Sequence, residues 1–238
     1  MKSFLLGQAK RIIDAVYRGL PPVGADGYNV TEFMKIKAAM DTAEYCIQRL
    51  PRARTFYTPL DLLSHALTQV AVPGLYLEFG VASGRTINHI AQQVRETVHG
   101  FDSFAGLPEE WRSGYGKGAF SQARIPKVKD NVALHVGLFH ETLPGFLQGN
   151  AEQVAFLHVD CDLYSSTKII FDGLGDRIVH GTVIVFDEYF NHPTWRTDEW
   201  LAFQELVAQR AIRYDYIGYV PTYQQAAVVI RSVQDSGN

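Results

Sequence analysis

From Gly74 onward the chain alternates short apolar runs with stretches of helical period, through segments 75–79, 89–94, 98–101, 132–136, 154–160, 167–174, 182–186 and 200–207. Strands separated by helices cannot pair as tight hairpins. This order therefore predicts an α/β fold, with a mostly parallel sheet covered by helices. The end of the chain departs from the pattern. "RYDYIGYV" and "QQAAVVIRS" are strand-like runs joined by "PTY" with no helix between them. They predict a C-terminal hairpin that brings one antiparallel strand into the sheet.

Ahead of Gly74 the period is helical. Residues 4–20 carry Leu5, Ile12, Ile13, Val16 and Leu20 at helical spacing and stop at Pro21 and Pro22. A second helix is expected over 31–50, with Thr31 as its cap, and a third over 59–70. Residues 1–73 thus read as a helical appendage, serving as a lid or as a contact between copies of the chain. It belongs to the same domain as the core at 74–238. The 238 residues, 47% of them hydrophobic, suffice for one sizeable core.

Charge narrows the partners. A formal charge of −3 gives no bulk attraction to phosphate backbones or anionic lipid, so neither nucleic acid nor membrane is expected. No segment approaches the ~18 uninterrupted apolar residues of a membrane span. Two cysteines, Cys46 and Cys161, are too few for a disulfide framework, and "MKSFLLGQAKRIIDAV" carries charge where a secretion signal needs an apolar core. A cytoplasmic location is expected.

The stretch "YLEFGVASGRTINHIA" joins a buried strand to a helix through Gly80 and Gly84. Glycines there allow a tight turn and close approach of a ligand, and the helix N-terminus faces the same space. The spacing Glu78-x-Gly80-x-x-x-Gly84 is not the dinucleotide fingerprint, which disfavours a nicotinamide-dependent dehydrogenase. Glu78 would repel a pyrophosphate and favour a ligand with a cationic amine or sulfonium. Ser83 lies outside the centre of a G-x-S-x-G elbow, which disfavours a hydrolase. Asp102, in "GFDSFAGLP", follows Gly84 by 18 positions, close to the ~20 expected of a carboxylate on ribose hydroxyls. Ser103 adjoins it. Gly137, Leu138 and Phe139, after the next run, stand at the height of an adenine ring.

Carboxylates then leave two strands at one sheet edge. "FLHVDCDLYSSTK" ends on Asp160 and Asp162, and "GTVIVFDEYFNHPTW" ends on Asp187 and Glu188. Hard oxygen donors converging where an open parallel sheet binds ligands suit Mg²⁺. Asp160, Asp187 and Glu188 are the expected ligands, and Asp162 is expected as a helix cap or a second-layer residue. His140 and His192 follow predicted strand ends and are candidate bases. Tyr164, Tyr189, Phe190 and Trp195 are candidates either for an aromatic wall or for ordinary core and surface aromatics. Residues 112–127, with Gly114, Gly116, Gly118, Tyr115 and Phe120, read as a lid.

These strings together resemble the class I S-adenosylmethionine-dependent methyltransferases, over about residues 75 to 229. "GFDSFAGLP", "HVDCDLYSST" and "VIVFDEYF" are similar to the macrocin O-methyltransferase group in particular. The resemblance implies a seven-stranded, Rossmann-like, doubly wound sheet. It implies S-adenosylmethionine as cofactor, held by Glu78, Gly80, Ser83, Gly84, Asp102, Ser103, Gly137, Phe139 and Asp160. It also implies Mg²⁺-assisted methyl transfer to a hydroxyl of a small molecule, such as a sugar or another natural-product intermediate. Asp160 would be a metal ligand and a candidate base, Asp187 the second ligand and Glu188 the third. Glu188 departs from the Asp common at that position in the group. A protein that binds the cofactor without transferring methyl is the alternative, and the retained carboxylates argue against it.

Overall fold

The computed structural model describes residues 23–24 and 27–234. The helix expected over 4–20 lies outside them. A two-residue ladder pairs Val23–Gly24 with Gly27–Tyr28. The main sheet has eight strands: β1 (Arg54–Thr55), β2 (Leu75–Phe79), β3 (Val98–Asp102), β4 (Val132–Val136), β5 (Val154–Val159), β6 (Val183–Phe186), β7 (Arg213–Tyr219) and β8 (Ala226–Ser232). Their order is β1-β7-β8-β6-β5-β2-β3-β4. Seven are the expected ones, and the eighth is the short edge strand β1, parallel to β7. The β7–β8 hairpin is antiparallel, and β8 also runs antiparallel to β6, so it is the one reversed strand in an otherwise parallel array.

Six α-helices are described: α1 (Val30–Arg49), α2 (Pro59–Leu67), α3 (Arg85–Gln93), α4 (Phe139–Gly149), α5 (Tyr164–Leu174) and α6 (Glu199–Gln209). Side-chain alternation divides the core between the two sheet faces. Leu77, Phe79, Leu157, Val159, Ile184 and Phe186 pack with α4, α5 and α6, whereas Phe156, Val183 and Val185 pack with α2 and α3. The appendage shares both layers. Tyr45 and Leu50 enter the first, and Leu62, Leu63 and Ala66 enter the second.

Asn29, not Thr31, caps α1. Its Oδ1 accepts from the backbone N–H groups of Thr31 and Glu32 at 3.1 and 3.4 Å, which makes Thr31 a residue of the first turn. α2 begins behind Thr58, with Pro59 at its first position, and ends at Leu67, short of Val70. Opposite its few buried residues, α1 leaves Ile36, Met40 and Ile47 exposed.

Two polar residues interrupt the buried central strands. Glu78 and His158 are fully buried and directly opposite each other in the β2–β5 register. They share the sheet face that, two residues further on, carries Asp160 and Asp187.

Candidate active site

The β2–α3 turn is shaped by protein contacts before any ligand arrives. Gly80 has φ +93°, and a Cβ built on it would lie 1.6 Å from the Asp160 carbonyl oxygen. Glycine is required there because β2 and β5 end so close together. Asp102 clasps the turn from the tip of β3. Its Oδ2 accepts from Val81 N and Ala82 N at 2.8 and 2.7 Å, and its Oδ1 accepts from Phe104 N at 2.6 Å. A carboxylate offers about four acceptor positions, so three bonds leave one for a ligand rather than enough for two ribose hydroxyls.

Beside this turn, at the C-terminal strand edge, lies a cavity of about 320 Å³. One side is formed by Gly80, Ala82, Asp102, Ser103 and Gly137–His140, and the other by Asp160, Asp162, Asp187 and Glu188. Three residues expected at the cofactor stand elsewhere. The Glu78 carboxylate is buried beneath the turn, accepting from Thr86 Oγ1 at 3.0 Å and bonded to His158 Nδ1 at 2.9 Å. It does not line the cavity, because it stands two residues short of the strand ends that carry Asp160 and Asp187 on the same face. Ser83 is exposed and Gly84 lies against Pro126, so both act through the shape of the turn.

The acidic side is built differently. Burial, then the charges of Asp187, Glu78, Asp162 and Glu199, raise the Asp160 carboxyl well above its ordinary range. Burial and the Asp187 charge likewise push Asp162 up to about 7, against an opposing pull from Arg112. Glu188 is raised well above the usual carboxylate range by burial and then by Asp187, and its Oε2 is buried without a hydrogen-bond partner. Asp162 is not a helix cap. It has φ +63°, Leu163 occupies the cap position of α5, and the Asp162 carboxylate lines the cavity.

Two residues outside the sequence-based expectations organise this side. Glu199, fully buried at the start of α6, accepts from Cys161 N at 3.3 Å and Glu188 N at 3.1 Å, tying both carboxylate-bearing loops to one helix. Nothing in the local sequence marks it, since it reads as an ordinary first-turn acid. His158 is the second. Its Nε2 has no hydrogen-bond partner and lies 4.0 Å from Asp187 Oδ1. Burial lowers the His158 pKa, but the hydrogen bond and charge of Glu78 prevail and raise it. A signal for His158 was present: a polar residue inside the apolar run "AFLHV", two positions before Asp160 and so on its face.

The candidate bases separate. His140 is exposed in the first turn of α4 and lines the cavity. His192 is 2% exposed and does not line it. The His192 ring is bonded through Nε2 to the Glu188 carbonyl at 3.2 Å, and burial lowers its pKa to about 4. The expected aromatic wall is not at the cavity either. Tyr189, Phe190 and Trp195 are core residues, and Tyr164 donates to Glu205 on α6. Their run follows β6 back over the α6 face, so burial outcompetes exposure to a ligand. Phe120 and Phe139 are the aromatic residues lining the cavity.

Of the loop read as a lid, Phe120 lines the cavity, and contacts at and just ahead of the loop tie it down. Trp111 Nε1 donates to Asp198 Oδ2 at 3.0 Å, Ser165 Oγ donates to Glu109 at 2.5 Å, and Arg112 stacks 3.8 Å from the Trp111 ring centre. Leu107 N and Gly118 N close the loop's base by bonds to Ala119 O and Leu107 O.

Residues 77–189, which span the turn, Asp102 and both acidic strand ends, match a family described as a methyltransferase domain. The fold around that domain is also found in solved structures. Calicheamicin methyltransferase CalS11 is 24% identical over 89% of this chain and 95% of its own, with a TM-score of 0.57. The O-methyltransferase NovP is 22% identical over 73% of this chain and 79% of its own, also with a TM-score of 0.57. A second structure of CalS11, described as a TDP-rhamnose 3'-O-methyltransferase, is 23% identical over 89% and 97%, with a TM-score of 0.51. No curated protein matches the chain. Among the described residues, no helix is long and apolar enough to cross a membrane.

Proposed function

We propose that the chain is a S-adenosylmethionine-dependent O-methyltransferase acting on a hydroxyl of a small molecule, a sugar or other natural-product intermediate of the kind handled by the macrocin O-methyltransferase group. The observation that carries this reading is the two-sided cavity, with a clasped glycine turn on one side and converging carboxylates on the other. S-adenosylmethionine supplies an already activated methyl, so the protein has to align the acceptor oxygen and take its proton. Asp102 offers its remaining acceptor position to a ribose hydroxyl, and Ser103 adjoins it. Gly137 and Phe139 flank the space for an adenine ring. Asp160, between the two sides, accepts the hydroxyl proton as the new O–CH₃ bond forms and the S–CH₃ bond breaks. His140, at the mouth, is the other group able to receive that proton.

Asp160, Asp187 and Glu188 are the residues to hold Mg²⁺, and the buried Glu188 oxygen without a partner fits such an ion. When bound, a divalent cation lowers the pKa of the acceptor hydroxyl and fixes its direction. The exposed stripe of α1 is the proposed contact between copies of the chain.

Calorimetric titration with S-adenosylmethionine, with and without Mg²⁺, followed by transfer of labelled methyl to a panel of hydroxyl acceptors, tests the reading. Saturable binding and label on an acceptor oxygen are expected. Tight binding with no transfer to any acceptor would favour a non-catalytic cofactor-binding protein, and absence of binding would overturn the proposal.

A further inference from the structure

We infer that His158, oriented by Glu78, is itself a metal ligand through Nε2, and that His158, Asp160 and Asp187 form a mixed nitrogen and oxygen site for a first-row transition dication rather than for Mg²⁺. The inference rests on the divalent-ion part of the proposed function and changes its ligand set and ion class.

The sheet register puts these groups together. His158 stands opposite Glu78 on β2 and opposite Val185 on β6. Side chains two positions along a strand share a face, so Asp160 and Asp187 stand directly beyond this row, on the same side. One ligand atom from each of His158, Asp160 and Asp187 lies within 4.8 Å of the other two.

The second observation is the state of the imidazole. Glu78 Oε2 lies 2.9 Å from His158 Nδ1, and a carboxylate at that position keeps the ring hydrogen on Nδ1. Glu78 is itself held by Thr86 on its other oxygen. In the neutral ring Nε2 is then a lone pair, and it is fully buried, without a hydrogen bond and 4.0 Å from the Asp187 carboxylate. At that distance a protonated Nε2 would make no hydrogen bond to Asp187. A neutral Nε2 beside two carboxylates calls for a positive charge between them, either a proton or a metal ion. The carboxylate–imidazole–ion series is the usual way a ligating histidine is fixed.

Donor chemistry sets the ion class. Mg²⁺ favours oxygen donors and retained water, whereas an imidazole nitrogen beside two carboxylates suits Mn²⁺, Fe²⁺, Co²⁺ or Zn²⁺. Glu188 remains available as a further oxygen donor at the cavity.

Mn²⁺ is the probe that tests this, since it reports its own ligands. Electron spin-echo spectroscopy of the Mn²⁺-loaded protein should show coupling to ¹⁴N, and His158→Gln should abolish it. By calorimetry, Mn²⁺ affinity should fall at least about tenfold in His158→Gln. The preference for Mn²⁺ over Mg²⁺ should narrow in the same variant. Glu78→Gln keeps an acceptor for Nδ1–H but removes the charge, so its loss of affinity should be smaller. Unchanged affinity for S-adenosylhomocysteine shows that each variant retains its fold, and if His158→Gln does not fold, the wild-type spectrum alone decides. Mn²⁺ bound without nitrogen coupling would overturn the inference while leaving an oxygen-only metal site standing. Methyl transfer with no measurable binding of Mn²⁺ or Mg²⁺ would overturn both.

Discussion

Asp102 and Asp160 end the strands on either side of β2, yet the protein treats their carboxylates in opposite ways. Asp102 is surrounded by donors, with three backbone N–H groups between 2.6 and 2.8 Å. Asp160 is surrounded by acceptors, and the charges of Asp187, Glu78, Asp162 and Glu199 all disfavour its ionised form. Glu188 Oε2 and His158 Nε2, on the same side, have no partner. A satisfied carboxylate is a structural part that offers a ligand only its leftover capacity. A crowded one stores repulsion that a bound cation or a transferred proton relieves. The clasped side is thus built for shape and the acidic side for charge.

Gly80 is the point the two sides share, so changing it should have the largest effect. Gly80→Val places a Cβ 1.6 Å from the Asp160 carbonyl at φ +93°, and about 4 kcal/mol or more of stability should be lost. Thermal unfolding measures this. A variant with wild-type melting and cofactor binding would show that the strand ends can separate freely, and the comparison would fail.

The acidic side is sharpened by pH. The Asp162 carboxyl stays protonated up to about 7 in the folded protein, against 3.8 in the unfolded chain. Between those values the unfolded chain binds fewer protons at this position, so its contribution to stability falls as pH rises. In cation-free protein, Asp162→Asn should therefore gain on wild type by about 1.4 kcal/mol per pH unit across that window and level off above it. Asparagine tolerates the left-handed backbone at this position. Comparison with the variant matters because His192, lowered to about 4, contributes in the opposite sense as pH falls below 6.5. A constant gap in denaturant titrations at several pH values would show that Asp162 is not held protonated.

Asp102→Ala tests the clasped side. Three backbone N–H groups lose their acceptor, and about 2–3 kcal/mol of stability should be lost without any cofactor present. Affinity for S-adenosylhomocysteine should also fall, by at least about tenfold, through both the missing ribose contact and the loosened turn. If only affinity changes, Asp102 is a ligand contact and not a clasp. The smallest effect is expected at the lid, where Trp111→Phe removes the bond to Asp198, worth about 1 kcal/mol. Hydrogen exchange over residues 106–120 should quicken while the melting temperature hardly moves. Unchanged exchange would show that the tie to Asp198 does not hold the loop.

The helix–strand alternation, the terminal hairpin and the acidic strand ends were all legible in the chain. Each depends on local period or on position along a strand, which neighbouring residues determine almost alone. Glycine at 80 was equally legible, although for a different reason than the sequence suggested: the clash is with Asp160 and not with a ligand. For the aromatic residues after β6 the sequence left a ligand wall and the core open, because nothing in "DEYFNHPTW" shows which side of the following loop meets α6. The cap of α1 was misread by two positions, because Asn29 and Thr31 are both competent caps and only backbone geometry separates them.

What the sequence determined by itself was therefore the order of elements, the sheet edge that carries the chemistry, and the residue types present there. Only the tertiary structure decided how those residues are used. It buried Glu78 against His158, three backbone amides onto Asp102, and Glu199 beneath both acidic loops. The physical reason is that hydrogen bonding and charge depend on distance in space. Glu78 and His158 are 80 positions apart in the chain and 2.9 Å apart in the fold.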